Sequence, residues 1–166
     1  MSPDTAEVKP AIRPRFISHG TLGSKDLAQT RRFYEEFLGL EVVQTSPISL
    51  MIRLGGDHVY AVVQVKDKPE MPRIYHNGLD VETPQEVDEA YWTVLANQET
   101  WGLHKATRPV AQHGTYSFMF WDIDDNCWEI LSNPPRGYRW IFEQGDQAGK
   151  GHLEHEFYKR RPGRAR

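Results

Sequence analysis

The chain has 166 residues, 39% apolar and 26% charged, with 20 Lys+Arg against 23 Asp+Glu. That length suits one domain or two small modules on a common core, and a net charge of −3 excludes the basic excess of a dedicated nucleic-acid binder. One cysteine, Cys127, excludes an intrachain disulfide and a multi-cysteine zinc site. No apolar run reaches the roughly 18 residues of a membrane span. The opening residues lack the basic and apolar regions of a secretory signal, so a cytoplasmic protein with no nucleic-acid or membrane partner is expected.

Residues 1–14, with Pro3, Pro10 and Pro14, read as an N-terminal arm. Residues 15–66 open on a short apolar segment centred on His19. An N-cap residue, Asp26, then starts a helix over 27–38, with apolar residues at 27, 33, 34, 37 and 38 and Gly39 as its stop. Strand-like stretches follow at 40–43, 48–54 and 59–65, the last two joined by Gly55-Gly56-Asp57. Residues 73–133 repeat the order. A segment centred on His76 precedes the capping box Thr83-Pro84-Gln85-Glu86 and a helix over 84–97. A weak strand near 107–110, strands over 115–121 and 127–131, and a turn at Asp124-Asp125-Asn126 complete it. His19 and His76 lie 57 positions apart, and caps, helix stripes and hairpin turns keep that register. The expected fold class is α+β, two tandem βαβββ modules. Residues 134–166 form a C-terminal extension. Its aromatic stretch Tyr138–Phe142 needs cover, which points to a module edge or a homodimer partner. A loop with a short helical turn is expected over 145–155, and Lys159 to Arg166 form a basic tail.

The chemistry lies in three residues. A lone histidine on a strand is ordinarily structural, but His19 and His76 occupy equivalent repeat positions. Glu129 interrupts the apolar strand Cys127-Trp128-Glu129-Ile130-Leu131, where a carboxylate must be exposed, paired or metal-bound. Two histidines and one carboxylate hold a divalent metal and leave positions open.

The His19-Gly-Thr start, the helix Arg-Arg-Phe-Tyr-Glu-Glu-Phe-Leu-Gly-Leu over 31–40 and the closing Asp122-Ile-Asp-Asp-Asn-Cys-Trp-Glu129 resemble the vicinal oxygen chelate superfamily. That superfamily includes glyoxalase I, extradiol dioxygenases, fosfomycin-resistance thiol transferases and bleomycin-resistance proteins. Ile123 and Asp125 depart from the family's Asp-Pro-Asp-Gly-Asn ending. The resemblance implies two βαβββ modules cupped around a metal at His19, His76 and Glu129. Aligning the hairpins sets Glu129 opposite about Tyr60, which disfavours the four-ligand glyoxalase pattern. The leading expectation is an extradiol ring-cleaving dioxygenase using Fe(II), a small aromatic catechol and O2. In that reading His113 and Tyr116 are acid/base or orienting groups, and Thr21, Ser117, Met119 and Trp121 contact substrate. The alternatives are an Mn(II) or Zn(II) thiol transferase, isomerase or lyase, and a ligand-sequestering protein without catalysis. No potassium loop or phosphonate-binding cluster stands out in the sequence. Cys127 reads as a buried neighbour of the metal face and not a nucleophile.

Overall fold

The computed structural model describes residues 10–12, 14–112, 114–134 and 137–146. Most of the expected N-terminal arm, the basic tail and the loop expected beyond residue 146 lie outside them.

The Asp26 carboxylate accepts from the Ala28 and Gln29 amides, at 2.9 and 3.2 Å, and so starts helix α1 (Leu27–Arg32). The chain continues into a π-helical turn, Phe33–Phe37, and Gly39 ends it in the left-handed region at φ 69°. Around this helix lie β1 (His19–Ser24), β2 (Glu41–Ser46), β3 (Ser49–Arg53) and β4 (Val59–Gln64). They form a four-stranded sheet in the order β1-β4-β3-β2, with β1 parallel to β4 and the other pairs antiparallel.

The second unit repeats this plan with β5 (Asn77–Val81), α2 (Pro84–Ala96), β8 (Thr115–Trp121) and β9 (Cys127–Ser132), β5 running parallel to β9. The capping box forms in full: the Glu86 amide donates to Thr83 Oγ1, and the Thr83 amide donates to the Glu86 carboxylate. The weak strand is two pieces on one flank of β8, β6 (Lys105–Ala106) and β7 (Val110–Gln112). Pro109 lacks an amide hydrogen and restricts Arg108, so the ladder breaks there. Thr107 bridges the gap, its amide donating to Met119 O and its Oγ1 accepting from the Met119 amide. Two short helices were not foreseen: α3 (Gln98–Trp101), closed by left-handed Gly102, and α4 (Arg139–Gln144) in the extension. The α+β class and the βαβββ order hold. The cup consists of two separate, unclosed mixed sheets, one per module. No helix among the described residues is long and apolar enough to cross a membrane.

Strand alternation sorts the side chains. Leu22, Leu50, Ile52 and Val62 from the first sheet meet Phe118, Phe120, Trp128 and Ile130 from the second, with Phe33, Tyr34, Val87 and Val94 between them. Each such fully buried side chain is worth about 1.5–3 kcal/mol. The opposite face of β8 and β9 is buried as well, from Thr115 at 2% exposed to Trp121 at 5%. The opposite face of the first sheet is not: His19, Thr21 and Val43 are exposed.

The modules are joined by the turn between β8 and β9. Asp122, wholly buried, accepts from the amides of Asp124 and Asn126 and from Trp128 Nε1, and Tyr34 of the first module donates to it. Asp124 accepts from the Lys25 amide and from Thr30 Oγ1. Asn126 Nδ2 donates to Gly23 O. Asp125, at φ 61°, fills the left-handed position where the family pattern has glycine. Its carboxylate meets Lys25 and His104.

Burial, its largest influence, pushes the Asp122 carboxyl up from 3.8 to about 6. The native chain therefore holds this proton after the unfolded chain has released it. The resulting stability is complete below about pH 4 and is lost as pH rises through 6. Over that interval wild type should lose about 3 kcal/mol relative to Asp122→Asn. Urea unfolding of both proteins at several pH values measures the difference, and parallel pH curves would contradict it. Thr83→Ala should lower stability by about 1 kcal/mol at any pH in the same assay.

Candidate metal centre

The pairing of Gly78 with Glu129 sets the start of β5 beside the middle of β9. A 3-10 turn over Arg73–Tyr75 precedes His76 and leaves the Arg73 carbonyl facing the imidazole, so His76 Nδ1–H donates to it at 2.6 Å. A carbonyl only accepts, so the neutral ring carries its lone pair on Nε2. That nitrogen lies 3.2 Å from Glu129 Oε2. Two lone-pair atoms face each other, and a proton or a cation must lie between them. Ligand atoms at right angles on one divalent ion, with bonds of about 2.0–2.2 Å, stand about 3 Å apart. The Nδ1 hydrogen bond is the kind of outer support that orients metal-bound histidines. Glu129 is 6% exposed, a setting a carboxylate tolerates only with a partner.

The pair opens into a cavity of ≈ 360 Å³. Met119, cross-strand from Glu129, and Ile74 give it an apolar side, while Arg73, Gln112, Thr115 and Tyr138 give polar ones. Cys127 shares the Glu129 face. Burial, with the Glu129 charge adding, pushes its thiol up to about 12, and the Arg73 guanidinium opposes the shift. The thiol is no nucleophile, as the sequence suggested.

Within one chain the structure gathers His76 and Glu129 but not His19. His19 begins β1, is exposed, and shares a hydrogen bond at Nδ1 with Ser18 Oγ at 2.8 Å. Thr21, two residues on, occupies the same face of the first sheet and is also exposed. Tyr116 corrects the expectation placed on it. It lies on the core-facing side of β8, and its hydroxyl donates to Asp88 of α2, away from Glu129. Ser117 and Met119 do occupy the Glu129 face. Met119 lines the cavity, and Ser117 Oγ is buried with no hydrogen-bond partner among the described residues. Trp121 is on that face too, but its indole donates to Met71 O and packs against Met71 and Cys127 beside the cavity. His113 lies outside the described residues.

Register also revises the alignment of the two modules. Gly78 pairs with Glu129, and Thr21, 57 positions earlier, pairs with Ala61. The first-module counterpart of Glu129 is therefore Ala61 and not Tyr60, and it offers no ligand atom. Tyr60 instead lays its ring over Gly20, where an added Cβ would stand 2.5 Å from Tyr60 Cε1. That contact explains the glycine of the His-Gly-Thr start.

A second group escaped the sequence reading. Glu70, His104 and Asp125 bring ligand atoms within 4.8 Å of one another, so the group could hold a cation. Lys105 already pairs with Glu70 and Lys25 with Asp125, which makes it an exposed ion-pair network. Arg73 and Tyr138 were also missed as cavity residues. Only the turn before His76 and the aromatic stretch of the extension hinted at them.

Residues 16–155 match the sequence model of the Glyoxalase/Bleomycin resistance protein/Dioxygenase superfamily. No curated protein sequence matches the chain. Among solved structures it is similar to a possible glyoxalase from Bacillus cereus, at 20% identity and TM-score 0.58, covering 71% of this chain and 99% of that one. It is similar to a glyoxalase/dioxygenase from Nostoc punctiforme, at 20% and 0.57, covering 76% and 99%. It also resembles a variant of the fosfomycin resistance protein FosX from Listeria monocytogenes, complexed with Mn(II) and 1S,2S-dihydroxypropylphosphonic acid, at 21% and 0.59, covering 74% and 94%. With the paired βαβββ modules and the matched length taken together, the chain belongs to the glyoxalase/bleomycin resistance/dioxygenase superfamily.

Proposed function

We propose that this protein is a divalent-metal enzyme acting on a small substrate that chelates through adjacent oxygens. His76 and Glu129 of one chain and His19 of a second copy would hold the metal. The observation that carries this reading is the 3.2 Å contact between His76 Nε2 and Glu129 Oε2, two acceptors that need a cation or a proton between them. The unpartnered Ser117 Oγ on the same face supports it. A homodimer supplies what one chain lacks. The first sheet leaves His19, Thr21 and Val43 exposed on one face, and that face of a second copy would deliver His19.

When bound, the metal would polarise the substrate and acidify a coordinated hydroxyl. The chain's own residues do the rest. Arg73 O fixes the His76 tautomer, and buried Met119 keeps water from one side of the cavity. Thr115 Oγ1 donates to Gln112 O, which holds that wall in place. The FosX relative binds Mn(II), and the ligand set suits Mn(II), Fe(II) or Zn(II). Isomerase, lyase or transferase chemistry fits the polar cavity better than ring cleavage does. Tyr116, Phe118 and Phe120 of β8, rings of the kind that stack on a catechol, face the core. Fe(II)-dependent ring cleavage with O2 remains the second reading, favoured by the two-histidine, one-carboxylate set.

Purified anaerobically, the chain should bind one Mn(II) or Fe(II) per protomer. Glu129→Ala, His76→Ala and His19→Ala should each weaken metal binding at least about tenfold. A one-to-one mixture of His19→Ala and Glu129→Ala chains should regain roughly a quarter of the sites, because each mixed dimer carries one intact set. Mixing without recovery rejects the shared site, and wild type that binds no metal rejects the enzyme reading. Oxygen uptake with catechols would move the assignment to ring cleavage.

A further inference from the structure

The cavity beside His76 and Glu129 contains one feature that metal binding does not use. Arg73 belongs to the 3-10 turn, lines the cavity and is exposed. It lines that cavity together with Met119 and Glu129 of the outer face of the second sheet. Among the described residues the guanidinium makes no hydrogen bond or ion pair, whereas the surface arginines Arg31, Arg32 and Arg53 all pair with glutamates. Arg73 thus stands charged and unclaimed at the cavity wall. The remaining polar walls, Gln112, Thr115 and Tyr138, are neutral.

A planar guanidinium presents a fork that fits a carboxylate with two parallel hydrogen bonds. Among the described residues no lysine lines this cavity, and the one carboxylate that does, Glu129, faces His76. The one guanidinium matches the planar shape and single charge of a carboxylate, while the metal's charge would be met by Glu129 and by the substrate's other oxygens. We infer that Arg73 is the specificity residue of this cavity and that the substrate carries a carboxylate docked on its guanidinium. This rests on the proposed active site, whose metal would take the substrate's other oxygens.

The test uses the full chain and three matched probes: lactate, its neutral amide lactamide, and 1-hydroxyethylphosphonate. Binding is measured by NMR line shifts, with and without Mn(II). Wild type should prefer lactate to lactamide by at least about tenfold, the scale of a charge-assisted bidentate pair. Arg73→Gln should abolish that preference while leaving Mn(II) affinity unchanged. Arg73→Lys, which keeps the charge and loses the fork, should retain only part of it. Equal binding of lactate and lactamide, or a preference that survives Arg73→Gln, overturns the inference. Tighter binding of the phosphonate than of lactate overturns the choice of a monoanion. The metal-free measurement keeps the two readings apart: lost Mn(II) binding in wild type counts against the enzyme reading, whereas a lost carboxylate preference in the metal-free chain counts against Arg73.

Discussion

Everything about the site depends on where Glu129 points, and that is fixed by a carboxylate seven positions earlier. Asp122 is buried at the end of β8 and gathers the amides of Asp124 and Asn126 and the indole of Trp128. These bonds set the β8–β9 turn, and with it the register in which Trp121 meets Cys127 and Met119 meets Glu129. A slip of one residue would exchange the faces of β9. Glu129 would then enter the aromatic core, and Trp128 or Ile130 would take the cavity. The carboxyl tolerates burial because its donors replace water, yet burial still raises its proton affinity, so the same group that specifies the fold also makes it sensitive to acidity.

The hub also explains why two modules behave as one core. Tyr34 reaches Asp122 from the first module, Asn126 donates to Gly23 O, and Asp124 accepts from Lys25 and Thr30. Three alternate polar positions of the second module, 122, 124 and 126, thus replace solvent for polar groups of β1, the β1–α1 loop and the first helix. The apolar surfaces around them then close, with Tyr34 edge-on to Trp128 at 5.7 Å. The outer faces of the sheets end up unequal. That of the second sheet is buried and carries Glu129, while that of the first stays open and carries His19.

The fold was legible because its signals were local. Asp26, Thr83 with Glu86, Gly39 and the Gly55-Gly56 turn act within a few residues, and each marks a boundary the structure keeps. The unusual setting of Glu129 was legible for a similar reason, since a charge in an apolar strand stands out wherever the strand goes. What escaped depended on register and on distant chain. Which of Tyr60 and Ala61 opposes Glu129 is decided by parallel pairing with β1, and hairpin alignment alone missed it by one residue. Tyr116 was one position out of phase with the Glu129 face. Arg73 acquires meaning only once the turn over 73–75 swings its carbonyl to His76. The separation of His19 from His76 and Glu129 is a property of how the modules pack, which no motif records.

The parallel pairs at one edge of each sheet have a consequence for how the chain is made. Among the described residues β1 has no neighbour in its sheet except β4, so His19 to Ser24 leave the ribosome as an orphan edge and wait for Val59 to Gln64. The same holds for β5 until β9 emerges. The bond from the Lys25 amide to Asp124 spans 99 positions, so the first loop cannot settle until nearly all of the fold has been synthesised. Chains dominated by such remote partners fold slowly and expose strand edges while they do. The sequence places its strongest self-contained element between those waiting strands. The capping box and proline of α2 fix the start of that helix with bonds from its own residues, before β8 and β9 appear.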